Sequence, residues 1–343
     1  MNSRLQSCKT WGFLPNLKCI FKNHNPVKYY SLKESFHKCD LKLNPLWVTG
    51  FTDAEGCFSI IVVVNSLLNI KIRFSFEINL HSKDIGILYK IKNYFSEIGS
   101  IYLRKNKELA VYRVSSVDEL CDIIIPHFDK YPLITRKYID FYFWCKALNL
   151  IRNKEHKTSI GLMKVLKYYA TINRGASNKI KILYPDIQSF NKETLDTYYC
   201  LPEKLNPYWV TGFVAGDGGF SLNLYIKEKN DKIKYRTSYK FYVTQHIKDV
   251  EVMKLFIDFF NCGTVYQRSN SNTPRCDFIV QNINDLLEHI IPHFETYPLF
   301  NIKQKDFLSF KEGLLFIKQE KLLTKSGLQT LKKICVKFLS KSG

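Results

Sequence analysis

Asn44-Pro45-Leu46-Trp47-Val48-Thr49-Gly50-Phe51-Thr52-Asp53-Ala54-Glu55-Gly56-Cys57-Phe58 returns 162 residues later as Asn206-Pro207-Tyr208-Trp209-Val210-Thr211-Gly212-Phe213-Val214-Ala215-Gly216-Asp217-Gly218-Gly219-Phe220. The recurrence continues downstream. Leu80-His81-Ser82-Lys83-Asp84 matches Gln245-His246-Ile247-Lys248-Asp249 at a spacing of 165. Gly99-Ser100-Ile101-Tyr102 matches Gly263-Thr264-Val265-Tyr266 at 164. Ile124-Ile125-Pro126-His127-Phe128 matches Ile290-Ile291-Pro292-His293-Phe294 at 166, and Tyr131-Pro132-Leu133 matches Tyr297-Pro298-Leu299 at the same spacing. Self-similarity of this kind is a tandem duplication of one supersecondary unit. The spacing drifts only where hairpin loops would lie. The chain therefore divides into an N-terminal stretch (1–40), expected to be an extension without a fold of its own or else an organelle transit segment, a first repeat (41–172), a polar linker (173–204) and a second repeat (205–340).

Each repeat opens on the same signals. Asn44 and Asn206 cap a helix, and Pro45 and Pro207 stand at its first turn, where a missing N–H costs nothing. That helix runs to an acidic residue, Glu55 or Asp217, and stops at a glycine. Strands follow. Phe220, Leu222, Leu224 and Ile226 alternate with Ser221, Asn223, Tyr225 and Lys227, and Phe74, Phe76, Ile78 and Leu80 alternate with Arg73, Ser75, Glu77 and Asn79. Period-two alternation predicts one buried and one polar face. Helices are expected at about 84–97, 117–126 and 135–153, and again at 158–171 and 324–340.

Composition narrows the function. The 343 residues carry 51 Lys and Arg against 31 Asp and Glu, a formal charge of +20. A basic chain rich enough in apolar residues (45%) to build cores points to a polyanionic partner. The positive charge is spread along the chain rather than gathered on a membrane-binding helix, so nucleic acid is favoured over a lipid surface. No apolar run is long enough to span a bilayer. The 10 cysteines form no CxxC pair and no zinc-type spacing, and read as free thiols. Residues 1–40 hold seven Lys or Arg and two acids but no apolar signal core.

The motif helices carry small residues four apart: Gly50 and Ala54, then Gly212 and Gly216. Such faces let two helices approach closely. If the two motif helices pack on one another, Glu55 and Asp217 come side by side. Two carboxylates at helix C-termini oppose both the macrodipole and each other. A divalent cation is the simplest counterweight, and Mg²⁺ needs few protein carboxylates.

These segments resemble the double-motif LAGLIDADG homing endonucleases: Val48 to Gly56 and Val210 to Gly218 align with the nine-letter motif, and the repeated His-x-Lys-Asp and Pro-His-Phe segments make the likeness specific. The resemblance implies an α+β fold of two pseudo-symmetric αββαββα halves with antiparallel saddle-shaped sheets, one chain acting as a monomer on double-stranded DNA. It implies that Glu55 and Asp217 hold Mg²⁺ or Mn²⁺, each serving one strand. Ala215 departs from the motif where the first copy has Asp53, and Asp217 shortens one ligand arm. Lys137 and Lys303 align at a spacing of 166, and a lysine near each scissile phosphate is expected to stabilise developing charge. The repeated His81 and His246 are expected at strand ends, and His127 and His293 in packing or capping roles.

The residues expected to face DNA are Ser59, Ile61, Val63 and Asn65, with Lys71, Arg73 and Ser75, in the first half. In the second they are Ser221, Asn223, Tyr225, Lys227, Lys234, Arg236, Lys240, Tyr242 and Thr244. Polar side chains there read base edges, while Ile61 and Val63 suit only thymine methyls. The expected function is a site-specific, intron-encoded endonuclease of a mitochondrion, or else a chloroplast. The alternatives are an RNA maturase acting on the host intron and a non-catalytic DNA-binding regulator.

Overall fold

The side chain of Asn44 accepts a hydrogen bond from the Leu46 amide at 2.9 Å, and Asn206 does the same for Tyr208 at 2.9 Å. These caps open the two motif helices, α1 (Pro45–Glu55) and α8 (Pro207–Asp217), in a computed structural model that describes residues 42–65, 69–104, 107–192, 201–229, 232–268, 273–319 and 325–339. The expected N-terminal extension and part of the linker lie outside the described residues.

After α1 come β1 (Gly56–Val64), β2 (Ile70–His81), α2 (Ile85–Tyr94), β3 (Ser100–Arg104), β4 (Leu109–Val114), α3 (Val117–Glu119), α4 (Ile125–Lys130), α5 (Lys137–Arg152) and α6 (Ser159–Thr171). Helix α7 (Asn178–Leu183) lies between the repeats. The second repeat runs α8, β5 (Gly218–Lys229), β6 (Lys232–His246), α9 (Val250–Phe260), β7 (Thr264–Arg268), β8 (Arg275–Val280), α10 (Ile283–Asp285), α11 (Ile291–Thr296), α12 (Lys303–Lys318) and α13 (Lys325–Leu339). Each half folds its strands into one antiparallel sheet, in the orders β1-β2-β4-β3 and β5-β6-β8-β7. The fold is therefore α+β with two equivalent sheets.

The inner faces pack aromatic rings against the long helices. Phe58 stands 5.4 Å from Phe128 and 5.3 Å from Trp144; Phe220, its counterpart, stands 5.5 Å from Phe294 and 5.3 Å from Phe310. In both halves the Ile-Ile-Pro-His-Phe segment starts on the last residue of a single π-turn, Leu120–Ile124 and Leu286–Ile290. Pro126 and Pro292 lack the N–H that an α-helix requires, and the wider turn accommodates their rings. Gly99 (φ +68°) and Gly263 (φ +87°) turn the chain into β3 and β7.

The segment read as a polar linker has apolar anchors. Ile180 on α7 is buried, and the Phe190 ring stacks on Phe143 at 5.3 Å and on Tyr168 at 5.1 Å.

Candidate active site and nucleic-acid interface

Helices α1 and α8 touch backbone to backbone. A Cβ on Gly50 would lie 2.1 Å from the Trp209 carbonyl oxygen, and one on Gly212 would lie 2.1 Å from the Trp47 carbonyl oxygen. A Cβ on Gly216 would meet Ala54 Cβ at 2.3 Å and Glu55 Cγ at 3.0 Å. Any side chain at these glycines would force the helices apart. Their absence brings Glu55 over the residue preceding Asp217, at the joined ends of the two helices.

Burial raises the pKa of both acids. Asp217 is pushed up to about 7, by desolvation first and then by the charge of Glu55. Two ammonium groups oppose this. Lys137 Nζ donates to the carbonyls of Thr52 (2.9 Å), Ala54 (3.4 Å) and Gly56 (2.6 Å). Lys303 Nζ donates to those of Val214 (3.3 Å), Gly216 and Gly218 (2.7 Å). Each lysine thus caps the C-terminus of its own half's motif helix, where a cation complements the macrodipole. The strongest cationic influence on each acid comes from the other half: Lys303 on Glu55 and Lys137 on Asp217. Burial lowers the pKa of both lysines. The expectation of an ammonium aimed at phosphate is modified accordingly, because carbonyls engage these donors.

Two further features escaped sequence reasoning. Gln245 Nε2 donates to Asp217 Oδ2. Asp53 is buried and accepts from Ile134 N (2.9 Å), Thr135 N (3.2 Å), Thr135 Oγ1 (2.6 Å) and, across the helix interface, Trp209 Nε1 (2.8 Å). With Ala215 in the equivalent position, Trp47 Nε1 is buried without a partner among the described residues.

The repeated His-x-Lys-Asp segments join the halves. His81 and His246 accept the amides of Lys83 and Lys248 at 3.1 and 3.2 Å. Asp249 accepts from Arg136 N at 2.7 Å, at the start of α5, and Asp84 accepts from Ile302 N at 3.0 Å, at the start of α12. Each aspartate thereby caps a helix of the opposite half. His127 and His293 are packing residues of the interior. Thr49 Oγ1 donates to the Tyr131 carbonyl at 3.0 Å and so accepts from His127 Nε2 at 3.2 Å, leaving Nδ1 to accept from the Tyr94 hydroxyl at 3.1 Å.

The outer sheet faces carry the residues expected to meet DNA. Register places Ser59, Ile61 and Val63 opposite Ser75, Arg73 and Lys71, and Ser221, Asn223, Tyr225 and Lys227 opposite Lys240, Ser238, Arg236 and Lys234. Asn65, Lys71, Arg73, Tyr225, Lys227 and Arg236 are exposed. Asn223 donates to Ser221 Oγ at 3.0 Å, and Lys240 lies over the Tyr242 ring at 5.0 Å. The Lys234 side chain lies outside the described residues. Ser75 departs from expectation. It is 2% exposed and donates to Glu77 at 2.7 Å, so its hydroxyl is spent inside the protein. Thr244 likewise donates to buried Asp277, at 2.5 Å.

Those two acids hold arginines that sequence reading missed. Arg113 donates to Glu77 at 2.9 Å; Arg268 makes a two-pronged pair with Asp277, through Nε and through Nη2 at 2.7 Å. Tyr102, Arg104, Tyr266 and exposed Arg275 extend the same faces across β3, β7 and β8. Their signal in the sequence was the repeated Gly99 and Gly263 segments, each followed by alternating polar residues.

One chain thus holds two motif helices, each ending in an acid, each followed by a basic-faced sheet. Comparison with known proteins gives this class its name. The model of the LAGLIDADG endonuclease family matches residues 48–148 and 210–314, and the chain belongs to that family. A Neurospora crassa relative, probable intron-encoded endonuclease 2, is 35% identical over 299 residues, covering 84% of this chain and 64% of the relative. The chain spans about half to two thirds of the length of the first curated relatives it matches. Among solved structures, the I-SmaMI LAGLIDADG homing endonuclease bound to cleaved DNA is 32% identical, covering 86% of this chain and 96% of that one, with a TM-score of 0.76. I-GzeII in complex with its DNA target is 35% identical, with 85% and 97% covered and a TM-score of 0.75.

Proposed function

We propose that the chain is a site-specific endonuclease that hydrolyses one phosphodiester in each strand of double-stranded DNA. The observation that carries this is the juxtaposition of Glu55 and Asp217 at the ends of two helices in glycine-mediated contact. Family membership and two DNA-bound structural neighbours support it. A net charge of +20 supplies the sequence-independent attraction for phosphates.

The carboxylate pair fits a divalent metal. Among the described residues no group of three or more His, Cys, Asp or Glu side chains is placed to hold an ion alone. Two hard oxygen donors suit Mg²⁺ or Mn²⁺, which complete their shells with water and phosphate oxygens. I-SmaMI has been solved with an uncleaved target in the presence of calcium ions. Glu55 and Asp217 would hold the metal, which when bound polarises phosphate and activates water. Lys137 and Lys303 neutralise the helix ends so that two acids can stand together. The sheet-face side chains fix the register of the duplex. Both motif copies come from one chain, so a monomer suffices.

Intron encoding is supported by the intron-encoded relatives, and an organellar, mitochondrial setting by relatives named for an ND4 intron and as a mitochondrial protein and by a composition rich in Lys, Asn, Ile, Phe and Tyr, which fits an A/T-biased genome. A maturase role on the host intron RNA is the second reading. It is favoured by Ile61 (41% exposed) and Val63 (46%), apolar groups on a face expected to read DNA.

The test uses a plasmid carrying the joined exons that flank the reading frame. Cutting in Mg²⁺, binding without cutting in Ca²⁺, and loss of cutting with retained binding in Glu55→Gln or Asp217→Asn support the proposal. Binding without cutting in every metal refutes it and leaves a regulator. Stimulated splicing of the host intron without cutting identifies a maturase.

A further inference from the structure

Residues 152–181, from the end of α5 into α7, hold eight Lys or Arg and one acid, Glu155. About a third of the net charge of the chain thus sits in under a tenth of its length. Arg152 is engaged by Asp122 at 2.8 Å, and Lys167 lies over the Phe190 ring at 4.2 Å. Lys154, Lys157, Lys164, Arg174, Lys179 and Lys181 are exposed. The segment abuts the end of the first sheet that lies farthest from the acids. Lys179 Nζ donates to the carbonyl of Val64, the last residue of β1, at 3.1 Å. His156, between Lys154 and Lys157, lines a cleft of about 460 Å³ together with Tyr184, Asn69 and Lys71. Strand β1 starts at Gly56, directly after Glu55, and its eight steps of about 3.4 Å carry the sheet about 27 Å outward. Along a duplex rising about 3.4 Å per base pair, that is at most about eight pairs. The exposed cations stand where a duplex lying on the sheet leaves it.

We propose that the segment from Lys154 to Lys181 is a second, sequence-independent phosphate site, which holds duplex DNA flanking the target on the side of the first half. The inference rests on the duplex-binding part of the reading above and not on the cutting chemistry. Lys and Arg contacts to phosphate fix a duplex in place without reading its bases. Duplex DNA is the occupant because Lys71 belongs to both surfaces: it stands on the sheet face and lines the cleft. The two tyrosines of the segment are half-buried, Tyr168 stacked on Phe190 at 5.1 Å and Tyr169 accepting from the Ser177 amide at 3.1 Å. That leaves little ring surface on which the unpaired bases of an RNA could stack.

The probe is a duplex of the joined exons that flank the reading frame, bound in Ca²⁺ and read by fluorescence anisotropy. Cutting back one side from about twenty to about ten base pairs from the centre of the footprint is expected to weaken wild-type binding about tenfold, while the same cut on the other side costs less. Randomising that flank at full length changes affinity by less than about twofold. Lys154→Gln/Lys157→Gln/Lys179→Gln removes the one-sided penalty. With three phosphate contacts gone, a fourfold rise in salt weakens this variant about fortyfold less than wild type. The matching triple Lys→Arg variant behaves as wild type. Lys332→Gln/Lys333→Gln, at exposed positions on α13 in the other half, leaves the one-sided penalty unchanged. Equal penalties on the two sides, or a penalty that survives in the triple Gln variant, overturn the inference while leaving the endonuclease reading intact. A triple Gln variant that binds the long duplex as wild type but loses affinity for the host intron transcript overturns it too, and makes the patch an RNA surface. A one-sided penalty in a protein that cuts in no metal refutes the endonuclease reading and leaves this inference standing.

Discussion

Replacing Trp209 with phenylalanine should cost far more stability than replacing Trp47, although the two indoles are sequence equivalents. Both are fully buried, and each stacks on the phenylalanine one turn along its helix, Phe213 at 4.6 Å and Phe51 at 5.0 Å. The loss of ring volume is therefore closely matched and cancels in the difference. What remains is the indole N–H. Trp209 Nε1 gives its proton to Asp53 at 2.8 Å, whereas Trp47 Nε1 has no partner among the described residues. Losing a hydrogen bond to a carboxylate costs about 1.5–3 kcal/mol, and deleting an unpaired buried donor relieves about 1–3 kcal/mol. Trp209→Phe is expected to be less stable than Trp47→Phe by about 3 kcal/mol. Guanidinium unfolding of both variants beside wild type, with m-values compared to confirm like transitions, measures the gap. Equal losses, or a larger loss for Trp47→Phe, would refute the assignment of Asp53 as the acceptor and of Ala215 as the cause of the orphaned indole.

Other outcomes follow from the same geometry. Gly212→Ala puts a Cβ 2.1 Å from the Trp47 carbonyl oxygen and should cost about 3 kcal/mol or prevent folding, whereas Gly86→Ala, on α2 with nothing within 4 Å of the new Cβ, should stabilise by about 0.5–1 kcal/mol in the same unfolding assay. Burial holds His127 and His293 at a pKa of about 4, against about 6.5 in an unfolded chain. Between those values the unfolded state binds more protons, so stability is full above pH 6.5 and falls toward pH 4 by up to about 3 kcal/mol per histidine. Urea midpoints at pH 7.5 and 4.5 test this, and His127→Gln should flatten the dependence. Asp249→Ala removes the cap from the first amide of the α5 turn and should cost about 1 kcal/mol, read as a lower thermal midpoint.

The duplication made much of the architecture readable. Fifteen residues beginning at Asn44 and their copy at Asn206 carry cap, proline, small-residue face and terminal acid, all local signals, and the helices form where those signals stand. The alternation in β5 survives as one buried and one open face because Phe220 and Leu222 enter the core while Tyr225 and Lys227 stay exposed. Ser75 shows the limit of that reasoning. Period two names its face correctly, but its hydroxyl is bonded to Glu77, which in turn pairs with Arg113 from a neighbouring strand, and the residue is buried. The lysine caps were illegible for a related reason. Lys137 reaches the carbonyl of Gly56 across 81 positions, and nothing in either segment marks a long-range contact between an ammonium and a helix end. The same holds for Gln245, whose partner Asp217 is 28 positions away and whose counterpart in the first repeat is an apolar residue.

The exchange of glycine-to-carbonyl contacts between α1 and α8 makes each half a template for docking the other, so the halves are candidates for recombination. The two ways of doubling one half are not equivalent. A tandem of two first halves would give every interface indole an aspartate to bond, while a tandem of two second halves would leave both indoles facing alanine. Symmetrised single-chain scaffolds should therefore be built from the first half, with the hydrogen-bonding chemistry of the natural hybrid restored on both sides of its axis.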